Sequence, residues 1–400
     1  MNESKVSVGV IGVGGISVYV HLPGLRFSPY AEIVALCDSN ADLLRQRAQE
    51  YGVAHTFTDY HDLLQHRGVD AVVIATPTVL HAPIALAAIA AGKHVLVEKQ
   101  LGMNYGQTVQ MYQAAERAGV FHMTAFTYRF VPAMRYLKHL LALGTIGMPR
   151  HLRVARLMDL PETDLGWRQH RELSGSGEVG DMGAHRIDFC QDLIGPIAKV
   201  IGVTRTFAPF RSGRDGRPVA ADVEDAAFFL AEFAEGVGVE QGTVATFDLS
   251  KVAKGRERGG DGLDEFEVYG TEGTLIYHLH RPHEIMKGRP DGKLETLPVP
   301  PDFLTYPGSP RDPNAGNPTT TFRYDQDFAF TRAIVEGRNK SGASNERNDL
   351  PTFYDGMRCQ AVIDAVLQSA RERRWVEVAD IPPVTVTLAA TMHYAGKQKP

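Results

Sequence analysis

Cysteine is scarce in this chain: three in 400 residues, at Cys37, Cys190 and Cys359. An odd number cannot pair completely, and none of the three sits in a CxxC or other ligand spacing, so a disulfide scaffold and a cysteine-ligated metal site are both excluded. The thiols read as buried side chains in a reducing cytosol. Long apolar runs are missing as well. No uninterrupted stretch reaches the roughly 20 residues of a spanning helix. The opening MNESKVSVGVIGVGG passes almost directly into a strand, without the charged and apolar regions of a secretory signal. A soluble, cytoplasmic protein with no membrane partner is the expectation. Positive charge is not in excess either: 42 Lys and Arg stand against 47 Asp and Glu, a formal net charge of -5. No basic face for nucleic acid is predicted, and small-molecule work is favoured.

What the chain does have is apolar content, 44%, in a length that exceeds what one core organises, so two domains are predicted. From residue 6 to about 125, short apolar runs (VSVGVIG, EIVALCD, HTFTD, DAVVIATP, HVLVEK, FHMTAF) alternate with helical patterns mostly closed by glycine. Strand and helix in alternation imply a parallel, doubly wound α/β sheet with right-handed crossovers. After residue 150 the strands lengthen and short Gly-containing turns appear, EGVG (235–238) and GTEG (270–273), which suits a mainly antiparallel sheet in an α+β domain. Two helices, near 323–336 and 351–373, are predicted to cover that sheet, and 298–318 reads as a long loop. The predicted domains are 1–126 and 127–385, with a tail at 386–400.

In GVIGVGGIS, Gly12, Gly14 and Ser17 stand where a dinucleotide fingerprint has its three small residues. Gly12 allows a tight turn, Gly14 lets backbone approach a pyrophosphate, and the helix N-terminus favours the anion. Asp38, at the end of the second strand, suits ribose hydroxyls and repels a 2′-phosphate, so NAD is expected rather than NADP. The bland alternatives are a plain glycine turn and an Asp38 that caps the next helix.

Two further stretches carry chemistry. VLVEKQLG (95–102) ends a buried-looking strand on Glu98 and Lys99, and a strand that only fills a core has no use for an ammonium there. GWRQHRELSGSGEVGDMGAHRIDFCQDLIG (166–195) sets Asp181, His185 and Asp188 at i, i+4 and i+7, on one face if the segment is helical. A histidine beside a carboxylate is a usual proton-transfer pair. An Asp181 helix cap with a core His185 is the open alternative. No HExxH, Cys pair or third ligand at closed spacing accompanies them, so no metal is expected.

Taken together, GVIGVGGIS followed by His21, ATPTVLH, AGKHVLVEKQL, FTYRF, GTIG, GWR, SGSGEVGDMGAHRID, YGTEGTL and SARERRWVEV resemble the glucose-fructose oxidoreductase, inositol dehydrogenase and rhizopine-catabolism (Gfo/Idh/MocA) family. The resemblance implies a Rossmann domain, a C-terminal domain on a large open antiparallel sheet, and NAD-linked oxidation of a ring secondary hydroxyl of a sugar or cyclitol. The layout is similar to members that oxidise sugars at C3. It places the family's lysine on Lys99 and its acid and histidine on Asp181 and His185, which manage the hydroxyl proton, with Glu98 holding Lys99 by charge pairing. Gly15 and Ile16 in the glycine turn, and Thr76, Pro77 and His81 in ATPTVLH, are implied cofactor contacts. Trp167 and Arg168 match a pair near the nicotinamide end. Tyr128 is a candidate substrate contact or second acid/base, with a packing tyrosine as the alternative. Gln100 replaces the family's proline, and Thr78 a usual asparagine.

The same residues also suit a redox-neutral glycosidase, in which transient C3 oxidation acidifies the C2 proton and the aglycone leaves by elimination. His170, Arg171 and KGRERGG (254–260) make an acidic sugar one candidate substrate, with a solvated charged loop as the alternative. An open sheet face predicts a homodimer or homotetramer.

Overall fold

The computed structural model describes residues 5–160, 163–213, 215–236, 240–256, 263–337 and 350–380. Two compact units emerge, one formed by 1–127 with 308–357, the other by 128–307 with 358–382. The expected tail at 386–400, the end of EGVG and residues 257–260 of the basic run lie outside the described residues.

The first unit opens with six strands: β1 (Val6–Ile11), β2 (Ala31–Cys37), β3 (His55–Phe57), β4 (Ala71–Ile74), β5 (His94–Val97) and β6 (His122–Thr124). They pair in the order β3-β2-β1-β4-β5-β6, every pair parallel. β4 and β5 are apolar almost throughout because helices cover both faces of such a sheet. The helices between them are α1 (Leu22–Phe27), α2 (Ala41–Tyr51), α3 (Tyr60–Gln65), α4 (His81–Ala90) and α5 (Tyr105–Ala118). Asn40, Asp59 and Asn104 cap three of them by accepting backbone N–H bonds. Left-handed Gly52 and Gly119 close α2 and α5.

The second unit begins with α6 (Pro132–Ala142), β7 (Pro149–Leu157) and the short α7 (Arg171–Ser174), and a π-helical turn, Val179–Gly183, leads into α8 (Ala184–Leu193). Then follow β8 (Ile197–Arg205), the small hairpin β9 (Phe210–Ser212) and β10 (Pro218–Ala220), β11 (Ala226–Phe233), β12 (Val244–Ser250), β13 (Leu263–Gly270), β14 (Thr274–His278), β15 (Glu284–Gly288) and β16 (Leu294–Pro298). β9 and β10 pair by themselves, and the others, with β7 and the closing β17 (Val376–Glu377), form a nine-stranded sheet ordered β16-β15-β14-β13-β7-β12-β11-β8-β17. Only β7 and β12 run parallel. GTEG joins β13 to β14 as a hairpin. One face packs on α8, where Phe189 meets Phe266 edge-on and Arg186 pairs with Asp264. The opposite face, alternating along β8 and β11, leaves Val203, Phe228 and Leu230 about 40% exposed.

Between the two stretches of the second unit the chain forms α9 (Pro318–Thr321) and α10 (Tyr324–Val335), followed by α11 (Phe353–Glu372). α10 corrects an expectation: it packs on α1 in the first unit rather than covering the large sheet. The cause is polar. Asp327, fully buried on α10, meets His21 just before α1, and Ser28 hydrogen-bonds Thr331 at 2.8 Å. The later turns of α11 do reach the sheet, Ser369 Oγ accepting the Gly202 N–H.

Candidate active site

The glycine turn forms where β1 ends. Gly12 has φ +89°, and a Cβ there would lie 2.6 Å from the Ala75 carbonyl oxygen, so only glycine lets the turn pass β4. Gly14 and Gly15 differ: added Cβ atoms there would meet nothing within 4 Å. No neighbour in the chain demands these glycines, which fits a closely approaching ligand. Ile16 continues the turn into the helical segment. Asp38 accepts the Val13 N–H at 2.9 Å and the Asn40 N–H at 2.9 Å, one on each oxygen. It does not cap α2, because Asn40 does. Its carboxylate keeps lone pairs for further donors. Beside the turn, the buried Thr76 hydroxyl has no hydrogen-bond partner among the described residues, a group that a bound dinucleotide can satisfy. Asp38→Ser removes the charge that repels a 2′-phosphate, so the affinity ratio of NADPH to NADH should rise at least about tenfold. Fluorescence titration with both cofactors checks this; an unchanged ratio would remove Asp38 from cofactor selection.

Lys99 follows β5, and its peptide bond to Gln100 is cis. Glu98 binds on two sides. Its Oε1 pairs with His21 Nε2 at 3.1 Å, and its Oε2 accepts the Lys99 backbone N–H at 3.1 Å. Glu98 thus grips the lysine by its main chain as well as facing its charge. On its other ring nitrogen His21 meets Asp327 Oδ1 at 2.9 Å. Burial alone would drive the His21 proton off. Asp327 and then Glu98 outweigh it and hold the pKa up to about 10. Glu98 in turn, despite burial, is held below the usual carboxylate range by His21. His81, expected at the cofactor, is turned inward: Nδ1 lies 2.9 Å from the Gln100 carbonyl and Nε2 3.0 Å from that of Thr76. Burial lowers its pKa, so the neutral ring donates to one of the two. Pro77 precedes the short turn Thr78–Leu80 that leads into α4.

The proton on His21 has a stability consequence. The native state holds it up to about pH 10 while an unfolded histidine releases it near 6.5, so this contribution is complete below 6.5 and is lost as pH rises towards 10. The expected slope is about -1.4 kcal/mol per pH unit between those limits. Denaturant melts at pH 7 and 9 should show it, and His21→Gln should flatten it; an equal slope in both proteins would contradict the assignment.

In the second unit α8 delivers His185, buried, with the Tyr128 ring edge-on at 4.5 Å. Tyr128 also takes the Arg186 guanidinium over its face at 5.1 Å. Asp188 binds Arg129, at 2.8 Å from Nε. Asp181 lies in the π-helical turn, not at a helix cap, and its carboxylate stands 3.5 Å from Lys251 Nζ. Lys251 is 2% exposed and also pairs with Glu178, which binds Arg156 at 2.8 Å. Burial disfavours the Lys251 charge, yet Glu178 and Asp181 raise its pKa. Glu224 accepts the Gly177 N–H at 2.7 Å, fixing the SGSGEVGD loop from below.

Sequence reasoning missed Lys251, Glu178 and Asp327 because their partners are remote in the chain. Trp167 and Arg168 share a 3-10 turn, with the guanidinium 4.5 Å from the indole ring. In the basic loops Arg171 bonds Asp222 and Lys254 pairs with Asp159, so both cations meet protein groups. Among the described residues no group of three or more His, Cys, Asp or Glu could hold a metal ion, and no helix is long and apolar enough to cross a membrane.

Residues 6–126 match the Gfo/Idh/MocA oxidoreductase model with its NAD-binding Rossmann fold, and 134–276 match the family's C-terminal domain. The levoglucosan dehydrogenase of Pseudarthrobacter phenanthrenivorans is 28% identical over 95% of this chain and 99% of its own. The 1,5-anhydro-D-fructose reductase of Ensifer adhaerens is 32% identical over 67% of this chain and 74% of its own. A levoglucosan dehydrogenase structure with NADH and levoglucosan superposes at TM-score 0.79 with 28% identity, covering 94% of this chain and all of that one. An oxidoreductase domain protein from Kribbella flavida superposes at 0.81 with 30% identity, covering 95% and 100%. The glycine turn, the sheet order 3-2-1-4-5-6 and the large sheet that follows all agree: this chain belongs to the Gfo/Idh/MocA family of NAD-binding oxidoreductases.

Proposed function

We propose that this protein is an NAD-dependent dehydrogenase acting on a ring secondary hydroxyl of a sugar, sugar derivative or cyclitol. The observation that carries it is near full-length similarity to a levoglucosan dehydrogenase in a chain that retains Lys99, Asp181 and His185. Bound NAD supplies the hydride acceptor. The chain supplies the rest. Lys99, gripped through its main chain by Glu98, polarises the substrate oxygen and favours its alkoxide character. His185 accepts the hydroxyl proton, and Asp181, with its charge supported by Lys251, orients and stabilises the histidine. Tyr128 walls the ring on one side. Levoglucosan and related anhydro sugars head the substrate list.

A redox-neutral glycosidase is the second reading, favoured by one observation: Tyr128 beside His185 offers two acid/base groups, as proton removal at C2 after C3 oxidation requires. The exposed Val203, Phe228 and Leu230 on the large sheet support burial against a second copy.

Native mass spectrometry and a screen of free sugars, cyclitols and aryl glycosides, with and without NAD, test the reading. NADH accumulating from a free sugar supports the dehydrogenase. Aryl glycoside cleavage with co-purified NAD and no NADH accumulation would overturn it in favour of the glycosidase.

A further inference from the structure

Behind Lys99 runs a buried polar chain of Asp327, His21 and Glu98, joined by hydrogen bonds, in which Asp327 Oδ2 has no hydrogen-bond partner among the described residues. His21 and Asp327 are both 0% exposed. The ring bridges Asp327 and Glu98 at 2.9 and 3.1 Å, and the far oxygen of Glu98 takes the Lys99 N–H at 3.1 Å. On the other side of the lysine, His81 holds the Gln100 carbonyl at 2.9 Å. Space has been kept for this arrangement: a Cβ on Gly24 of α1 would fall 2.5 Å from Asp327 Oδ2. Three buried ionisable groups are costly to keep unless they are mutually satisfied. A core that needed only packing would use apolar residues there.

We infer that Asp327 and His21 are positioning residues for Lys99, acting through Glu98. The segment 308–357 thereby contributes to the reaction although none of its residues faces substrate in this reading. The imidazolium sits between two carboxylates, so Glu98 keeps one oxygen fixed and aims the other at the Lys99 amide. Losing the bridging proton frees Glu98 to turn, and the lysine's main chain loses one of its two grips. The inference rests on the reading of Lys99 as the group that polarises the substrate oxygen.

Asp327→Asn tests it, since the amide keeps the shape and removes the charge that holds the His21 proton. His21→Gln removes the bridge, and Asp59→Asn, in an exposed pair with His61 of the same chemistry, is the control. With the substrate found by the screen, Asp327→Asn should lower kcat by about 10- to 100-fold, leave NADH affinity within about twofold, and move the alkaline limb of the kcat–pH profile down by about one unit. A lesion that merely loosened the fold would not move that limb. Competitive labelling of amines by acetic anhydride, read by mass spectrometry, needs no substrate: Lys99 should change its labelling rate at least about threefold in Asp327→Asn and His21→Gln, with Lys93 unchanged. An unaltered Lys99 rate in folded variants, or kcat and NADH affinity falling together, would overturn the inference. A wild-type protein that turns over no sugar, with Lys99 labelling altered in both variants, would instead remove the dehydrogenase reading and leave the positioning intact.

Discussion

His185→Ala should lower kcat by about 10²- to 10⁴-fold, the usual worth of a positioned acid/base group, while NADH binds with nearly wild-type affinity. The histidine stands early in α8, 3% exposed, and its ring is fixed against Tyr128. Its neighbours give the site its electrical character. Arg186 sits over the Tyr128 ring, and Lys251 stands beside Asp181. Packing against Tyr128 holds the imidazole in orientation. Alanine removes the acceptor and leaves a small cavity, at a cost in stability of roughly 1–3 kcal/mol. Initial rates, NADH fluorescence titration and a thermal melt on the same preparation separate the two effects. A kcat within threefold of wild type would take His185 out of the reaction. His185→Asn, which fills part of the cavity without a ring base, should restore stability but not rate.

Gly12→Ala should raise the NADH Kd at least about 100-fold. The φ of +89° is one that L side chains rarely adopt, at a cost of order 1–3 kcal/mol. The added methyl would also meet the Ala75 oxygen at 2.6 Å and its carbon at 2.8 Å, so the turn has to lift away from β4. That displacement moves the backbone N–H groups that receive the pyrophosphate. Gly15→Ala provides the contrast. Its Cβ meets nothing in the protein, so its melting temperature should match wild type while NADH affinity still drops, because the methyl occupies space that the ligand needs. Calorimetric titration of both variants checks this. Equal affinity in wild type and Gly15→Ala would mean that the dinucleotide does not approach that residue.

The parallel sheet was legible because its signals are local: apolar runs of strand length, glycine-closed helices, and Gly12 with Asp38 at the ends of two neighbouring strands. The antiparallel sheet was legible for the same reason, down to the GTEG hairpin between β13 and β14. What could not be read were pairings across long separations. Nothing near Asp327 announces that its partner is His21, 306 positions earlier, so no local signal shows α10 packing on α1 instead of the large sheet. Lys251 directly follows β12, ahead of the basic run 254–260, and its burial between Glu178 and Asp181 rests on partners about 70 positions earlier. Glu98 and Lys99 are adjacent in sequence, but the second partner of the Glu98 carboxylate, His21, lies 77 positions earlier. His81 is an expected cofactor contact, and its ring lies against the backbone carbonyls of Thr76 and Gln100. In each case composition marked the residue as notable, and only the three-dimensional partner decided its work.

The most direct test of hydride abstraction from a ring carbon is isotopic. The protein is incubated with NAD and levoglucosan, or the best substrate of the screen, carrying deuterium at the oxidised carbon, and the product cofactor is weighed by mass spectrometry. The account predicts NADH one mass unit heavier in a one-to-one ratio with ketone, and a slowed rate for the deuterated sugar. Unlabelled NADH, or consumption of the sugar with no change in cofactor mass or redox state, would contradict it.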